Sequence, residues 1–254
     1  MLIYRRLLFL FSLLVSHVIF SQEDLTPYND DFDFEVMDDD EVIPRNDSLH
    51  ALIIDAGNSV KNIETSLKNN PQLRELKLIT SSQEILDVIG RVKLDSLFFL
   101  LIENYTGTTL NLPIIKSVEF LQIHATELQL LDMRNSQLFR LENLELETPS
   151  LLTWKLEATY PQLALLDIEA PTLHVFPIVQ MPKITEFSFS CSFTELPKNV
   201  CLYSKLKTIA FENLCPVKVD KCLISMIEKG VYSNLTVYDK PDGKILVDIN
   251  SLDK

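Results

Sequence analysis

Leu141-Glu142-Asn143-Leu144-Glu145-Leu146-Glu147-Thr148 places apolar residues at its first, fourth and sixth positions, and the 254-residue chain states the same phrase eight times. Counted by the fourth-position residue, the copies fall at Leu52, Leu76, Leu100, Leu121, Leu144, Leu166, Phe187 and Ile209. The steps between them are 24, 24, 21, 23, 22, 21 and 22 residues. A near-constant period in this range predicts a solenoid, in which each unit buries its apolar edge against its neighbours. Positions four and six alternate with positions three, five and seven. That two-residue rhythm predicts a short strand in every unit.

The segments that return from one strand to the next differ along the chain. Val60, Ile63 and Leu67 stand at helical spacing, as do Ile85, Leu86 and Ile89, so the first two returns are expected to be short helices. Later returns carry Pro149, Pro161, Pro171, Pro177, Pro182 and Pro197. Proline lacks the donor that a helix interior uses, so these returns are expected to be extended or single-turn pieces.

The phrase L-x-x-L-x-L at a 21–24-residue period resembles the leucine-rich repeat. Several copies extend it as that family does, with apolar residues at positions eleven and fourteen: Leu128 and Leu131, Leu151 and Trp154, Leu173 and Phe176. Phe176-Pro177 and Leu196-Pro197 are similar to the family's Leu-Pro step. The chain departs from the family at position nine, where an Asn is usual and Gly57, Ser81, Tyr105, Thr126, Pro149, Pro171, Ser192 and Leu214 stand here. Position eight is small or polar instead, as at Ala125, Thr148 and Ala170. The resemblance implies an α/β fold: a right-handed solenoid of about eight repeats with a parallel sheet on its concave face. It also implies an exported, bacterial-type protein whose work is recognition.

Around residues 48–214, which carry the repeats, lie three other segments. Residues 1–21 read as a signal peptide, with Arg5 and Arg6 ahead of the apolar run Leu7 to Val15 and a small residue, Ser21, before the cut. The competing reading is a membrane anchor, but the run is short for a span and His17 interrupts it. No membrane span is expected after cleavage. Residues 22–47 hold eleven acids against one Arg and read as an acidic disordered leader, either a solvated spacer or a site for a basic partner or cations. Residues 215–254 are expected to cap the open end of the stack, through a short helix from Cys222 to Lys229 and two strands joined at Pro241-Asp242-Gly243.

The formal charge of −13 is concentrated in that leader and speaks against nucleic acid, whose binders carry a basic footprint. Only five glycines occur, too few for a turn-rich sandwich or barrel. Cys201 and Cys222 are one period apart and would be neighbours on the descending side, so a disulfide is open to them in an exported chain. The alternative is that Cys191, Cys201, Cys215 and Cys222 are buried thiols. No C-x-x-C pair supports zinc, and no cofactor motif is present. His50, His124 and His174 fall in different repeats and read as surface residues.

With positions four and six pointing inward, positions three, five and seven face outward. That face is apolar around Phe99, Leu101 and Phe120, passes Glu103, and becomes acidic at Glu145, Glu147, Asp167 and Glu169. The last four sit on two adjacent strands, about 4.8 Å apart across and about 6.6 Å along them. Paired carboxylates at such spacing can serve glycoside hydrolysis, but an open sheet without a pocket or lid argues against a hydrolase. Acids alone also suit an ordinary polar exterior; exposed aromatic groups beside them favour a binding patch. The expected function is therefore non-enzymatic recognition of a glycan, or of a protein with a basic patch next to an apolar one. A structural or adhesion part in the cell envelope, using the array as a spacer, is the alternative. The expected location is secreted, periplasmic or on the cell surface.

Overall fold

The computed structural model describes residues 34–38, 41–55, 57–79, 81–191, 200, 202–212, 225, 236–239 and 244–248. The expected signal peptide, the Cys201–Cys222 pair and nearly all of the helix expected over 222–229 lie outside the described residues. The fold is α/β with a mostly parallel sheet and few helices.

The eight phrases form β2 (Ala51–Ile54), β3 (Glu75–Ile79), β4 (Phe99–Glu103), β6 (Phe120–His124), β8 (Asn143–Glu147), β10 (Leu165–Ala170), β11 (Glu186–Cys191) and β12 (Thr208–Glu212). All seven neighbouring pairs are parallel, and the register matches phrase to phrase: Leu52, Leu76, Leu100, Leu121, Leu144, Leu166, Phe187 and Ile209 lie in one row. Among the described residues the sheet has eleven strands. β1 (Glu35–Met37) adds to one edge, and β13 (Thr236–Asp239) to the other, where β14 (Lys244–Asp248) returns antiparallel. A second, three-stranded parallel sheet is built from return segments, namely β5 (Thr109–Asn111), β7 (Leu130–Asp132) and β9 (Thr153–Lys155).

The first two returns are helical, as their spacing requires. α1 (Val60–Asn69) buries Ile63, Ser66 and Leu67; α2 (Gln83–Arg91) buries Ile85, Leu86, Val88 and Ile89. Ser59 caps α1 by accepting the Asn62 N–H at 3.2 Å, whereas Ser82 ahead of α2 makes no such bond. Further along, the returns are extended, with Leu110, Leu131 and Trp154 turned into the core at the centres of β5, β7 and β9.

One hydrophobic core runs from Met37 to Ile209 between the strands and the returns. Its early part is aliphatic and its later part aromatic. Trp154, 5% exposed, donates its indole N–H to Met133 Sδ at 3.2 Å and meets Phe176 edge-on at 5.8 Å. Phe176 continues to Phe187 at 5.2 Å and Phe187 to Phe189 at 4.7 Å. Edge-to-face packing sets the positive ring edge against a negative ring face, which adds specificity to plain burial.

Where the position-nine Asn is missing, the backbone keeps the turns in step. The N–H groups of Asn104, Ala125 and Thr148 donate to the carbonyls of His124, Glu147 and Glu169 on the next strand, at 2.8–2.9 Å. Position eight therefore continues the ladder one residue past the strand. Small residues there fit, because Ala125, Thr148 and Ala170 are buried.

The reading of residues 22–47 as wholly disordered is corrected for residues 34–38 and 41–47. Acidic composition hides two apolar side chains, Met37 and Ile43, and both are buried in the first unit. β1 pairs in parallel with β2. Behind it, the Ile43 N–H donates to Ser66 Oγ at 2.9 Å and the Asn46 N–H to Asn70 Oδ1 at 2.9 Å. Asn69 donates to the Ile43 carbonyl at 3.0 Å, Asn70 to that of Pro44 at 3.2 Å and Asn58 to that of Met37 at 3.1 Å. These amides satisfy backbone groups that burial would otherwise leave without partners.

Candidate functional site

Because a strand turns successive side chains to opposite sides, burying positions four and six sends three, five and seven to the other face. Burial follows that alternation from β2 to β11, with one systematic exception. In the position-three row, Ala51, Glu75 and Phe99 are buried, and exposure begins only at Phe120.

Phe99, expected to be an exposed anchor, is thus corrected: it is 7% exposed. Phe34, one residue ahead of the Glu35–Leu52 register pair, lies with its ring centroid 3.9 Å from Lys77 Nζ. Lys77 is the register partner of Leu101, so the Phe34 ring lies beside this end of the sheet.

The aromatic group that replaces Phe99 is Phe98, which sequence reasoning missed because position two lies ahead of the strand. It is half-buried and meets Phe120 edge-on at 6.1 Å. The Arg74 guanidinium sits 5.2 Å above the Phe98 ring, a cation–π distance. Leu101 and Phe120 are half-buried, so the apolar portion of the face consists of Phe98, Leu101 and Phe120.

The acidic portion is brought together by the register. Glu145 pairs with Asp167 and Glu147 with Glu169. Asp167, Glu147 and Glu169 are exposed and Glu145 is half-buried. Gln122 on β6 donates to Glu145 Oε2 at 2.8 Å, which fixes one carboxylate oxygen.

His124, set aside on sequence as a surface residue, stands where the two portions meet. Its register partners are Glu103 on β4 and Glu147 on β8, and its Nε2 lies 3.6 Å from Glu145 Oε1. That is an ion-pair separation, a little longer than a hydrogen bond. The Glu145 carboxylate beside it raises the imidazole pKa above its ordinary value, against the opposing effect of partial burial, and Glu147 and Glu103 add to the rise. The signal was present in the sequence, since position seven reads Glu103, His124, Glu147 in successive repeats.

The remaining features lie elsewhere. An open depression of about 640 Å³ is lined by Ile114, Arg134, Gln137, Leu156 and Glu157, all on return segments. Among the described residues, no group of three or more His, Cys, Asp or Glu side chains is placed to hold a metal ion. No helix among them is long and apolar enough to cross a membrane. Compared with known proteins, the chain matches no family model, no curated protein and no solved structure.

Proposed function

We propose that the chain is an exported leucine-rich-repeat-type solenoid that binds another macromolecule through the outer, concave face of its sheet, without catalysis. The observation that carries this is the division of one face into a half-exposed apolar portion, Phe98, Leu101 and Phe120, and an acidic one, Glu145, Glu147, Asp167 and Glu169. Aromatic groups hold most binding energy at interfaces, while exposed charges steer encounter and set orientation. A protein partner with an apolar patch beside a basic one fits such a face. Repeat arrays suit this use because their length offers a wide surface on a rigid frame.

The test needs a partner captured on the native chain and both rate constants measured at two ionic strengths. Leu101→Ala with Phe120→Ala should speed dissociation about tenfold or more, the loss of a modest interface anchor. Glu147→Lys with Glu169→Lys should slow association and flatten its salt dependence. Unchanged kinetics in all four substitutions would move the binding site off this face.

A further inference from the structure

We propose that His124 makes this face pH-responsive: a proton taken up between Glu103 and Glu147 ties β6 to β8 and loosens the hold of the face on a cationic partner. The proposal rests on the reading of the face as a binding surface. Its own basis is the arrangement of charge around one imidazole.

From β4 the imidazole meets Glu103, and from β8 it meets Glu147 in register and Glu145 at 3.6 Å. Its own strand contributes Gln122, whose amide is committed to Glu145. The cation nearest in the position-five row, Lys77, is two strands away and under the Phe34 ring. All the charged neighbours on the flanking strands are therefore acids. Above its titration range the imidazole is neutral, and the three carboxylates present their full charge to a partner. Below that range it carries a positive charge in their midst, which offsets part of the charge that they present outward. Histidine alone among side chains makes this change with an ordinary pKa near neutrality. Its place at the border matters, because there one charge alters the side of the acidic patch nearest to Phe120.

The experiment uses the full chain and a peptide of nine lysines and one tryptophan as the probe. The His124 Cε1 proton is followed by NMR from pH 5 to 8.5 in the wild type and in Glu145→Gln. The peptide Kd is measured at pH 5.5 and 8.0 in the wild type and in His124→Gln. His124 should titrate above 6.5, and Glu145→Gln should bring it down. The wild-type Kd should rise about threefold or more on acidification, the scale of one added charge at a few ångströms in a watery setting, and His124→Gln should remove most of that rise. If the peptide binds with equal pH dependence in both proteins, the switch is overturned and the binding face stands. If His124 titrates at its ordinary value and ignores Glu145→Gln, the switch is overturned whatever the peptide does. If the peptide binds at neither pH, the reading of the face as a site for cationic partners falls, and the switch with it.

Discussion

The first two returns and the later ones close the same gap with different backbone. From β2 to β4 the chain goes back through α1 and α2, and the step from strand to strand is 24 residues. From β4 to β10 it goes back through β5, β7 and β9, with steps of 21, 23 and 22 residues. A helix advances about 1.5 Å per residue and an extended chain about 3.3 Å, so the same distance consumes more residues when helical. The length of each step therefore follows from the conformation of its return. The difference also sets the core. Helical returns lay aliphatic ridges such as Ile63, Leu67, Leu86 and Ile89 against the sheet, whereas extended returns deliver single large side chains, of which Trp154 is the largest.

The strongest way to break this contrast is Trp154→Ala. Emptying a buried aromatic site costs about 3–5 kcal/mol. In the solenoid proposed above, stability is close to a sum of units and neighbour contacts, so the damage should be local. Amide exchange should speed up in β7, β9 and β10 well before it does in α1. A urea-unfolding loss below about 1 kcal/mol, or equal loosening of α1, would contradict the division into separately supported regions.

Gly90 tests the seam between the two regions. It lies in α2, and a Cβ built there would stand 2.6 Å from Pro113 Cβ, in the extended return that follows β5. Alanine favours a helix over glycine by about 1 kcal/mol. Overpacking against a proline ring costs about 1–3 kcal/mol and the ring has little freedom to give way. Gly90→Ala should therefore destabilise by about 1 kcal/mol net, despite its better helix propensity. A stabilised variant would show that α2 and the extended return are not in close contact.

Much of the fold was legible because the repeat is written in the chain: the phrase register and the helical returns follow from spacing, and the inward Trp154 is what the leucine-rich-repeat resemblance implies. What spacing does not carry is which segment lies over which. Phe99 has the same place in its phrase as Phe120, yet one is buried and the other half-exposed, and their shared place in the phrase gives no sign of that difference. Composition misled at the leader for a related reason. Met37 and Ile43 are two apolar residues among many acids, and only their burial, with Asn58 bonded to Met37 and Ser66 and Asn69 bonded to Ile43, reveals their role. His124 is visible in its row, but a lone histidine per repeat reads as a surface residue unless its carboxylate neighbours in the same row are counted with it.

The two helices themselves offer a finer test. Ser59 accepts the Asn62 N–H, so Ser59→Ala should cost about 1 kcal/mol, as N-cap losses do. Ser82 makes no side-chain cap bond, and Ser82→Ala should be nearly neutral. Chemical unfolding of the two variants in parallel decides it. Equal losses would mean that both serines act through something other than capping.

The smallest effect should come from His124, on the first strand after an extended return. Its folded pKa is raised, chiefly by Glu145, above the ordinary value of 6.5 that the unfolded chain keeps. A raised pKa means that the native state binds the proton more tightly than the unfolded state. The stabilisation is fully present below about pH 6.5 and fades as pH rises through the folded value. Both partners are partly exposed, at 30% and 44%, so water screens the pair and the increment stays small. The wild type should accordingly gain on His124→Gln as pH is lowered from 8 to 5.5, by a difference that shrinks in added salt. Glu145→Gln should remove most of the gain while leaving stability at pH 8 nearly unchanged. A wild-type advantage that grew toward alkaline pH would reverse the sign, and would mean that burial of the imidazole outweighs the carboxylates around it.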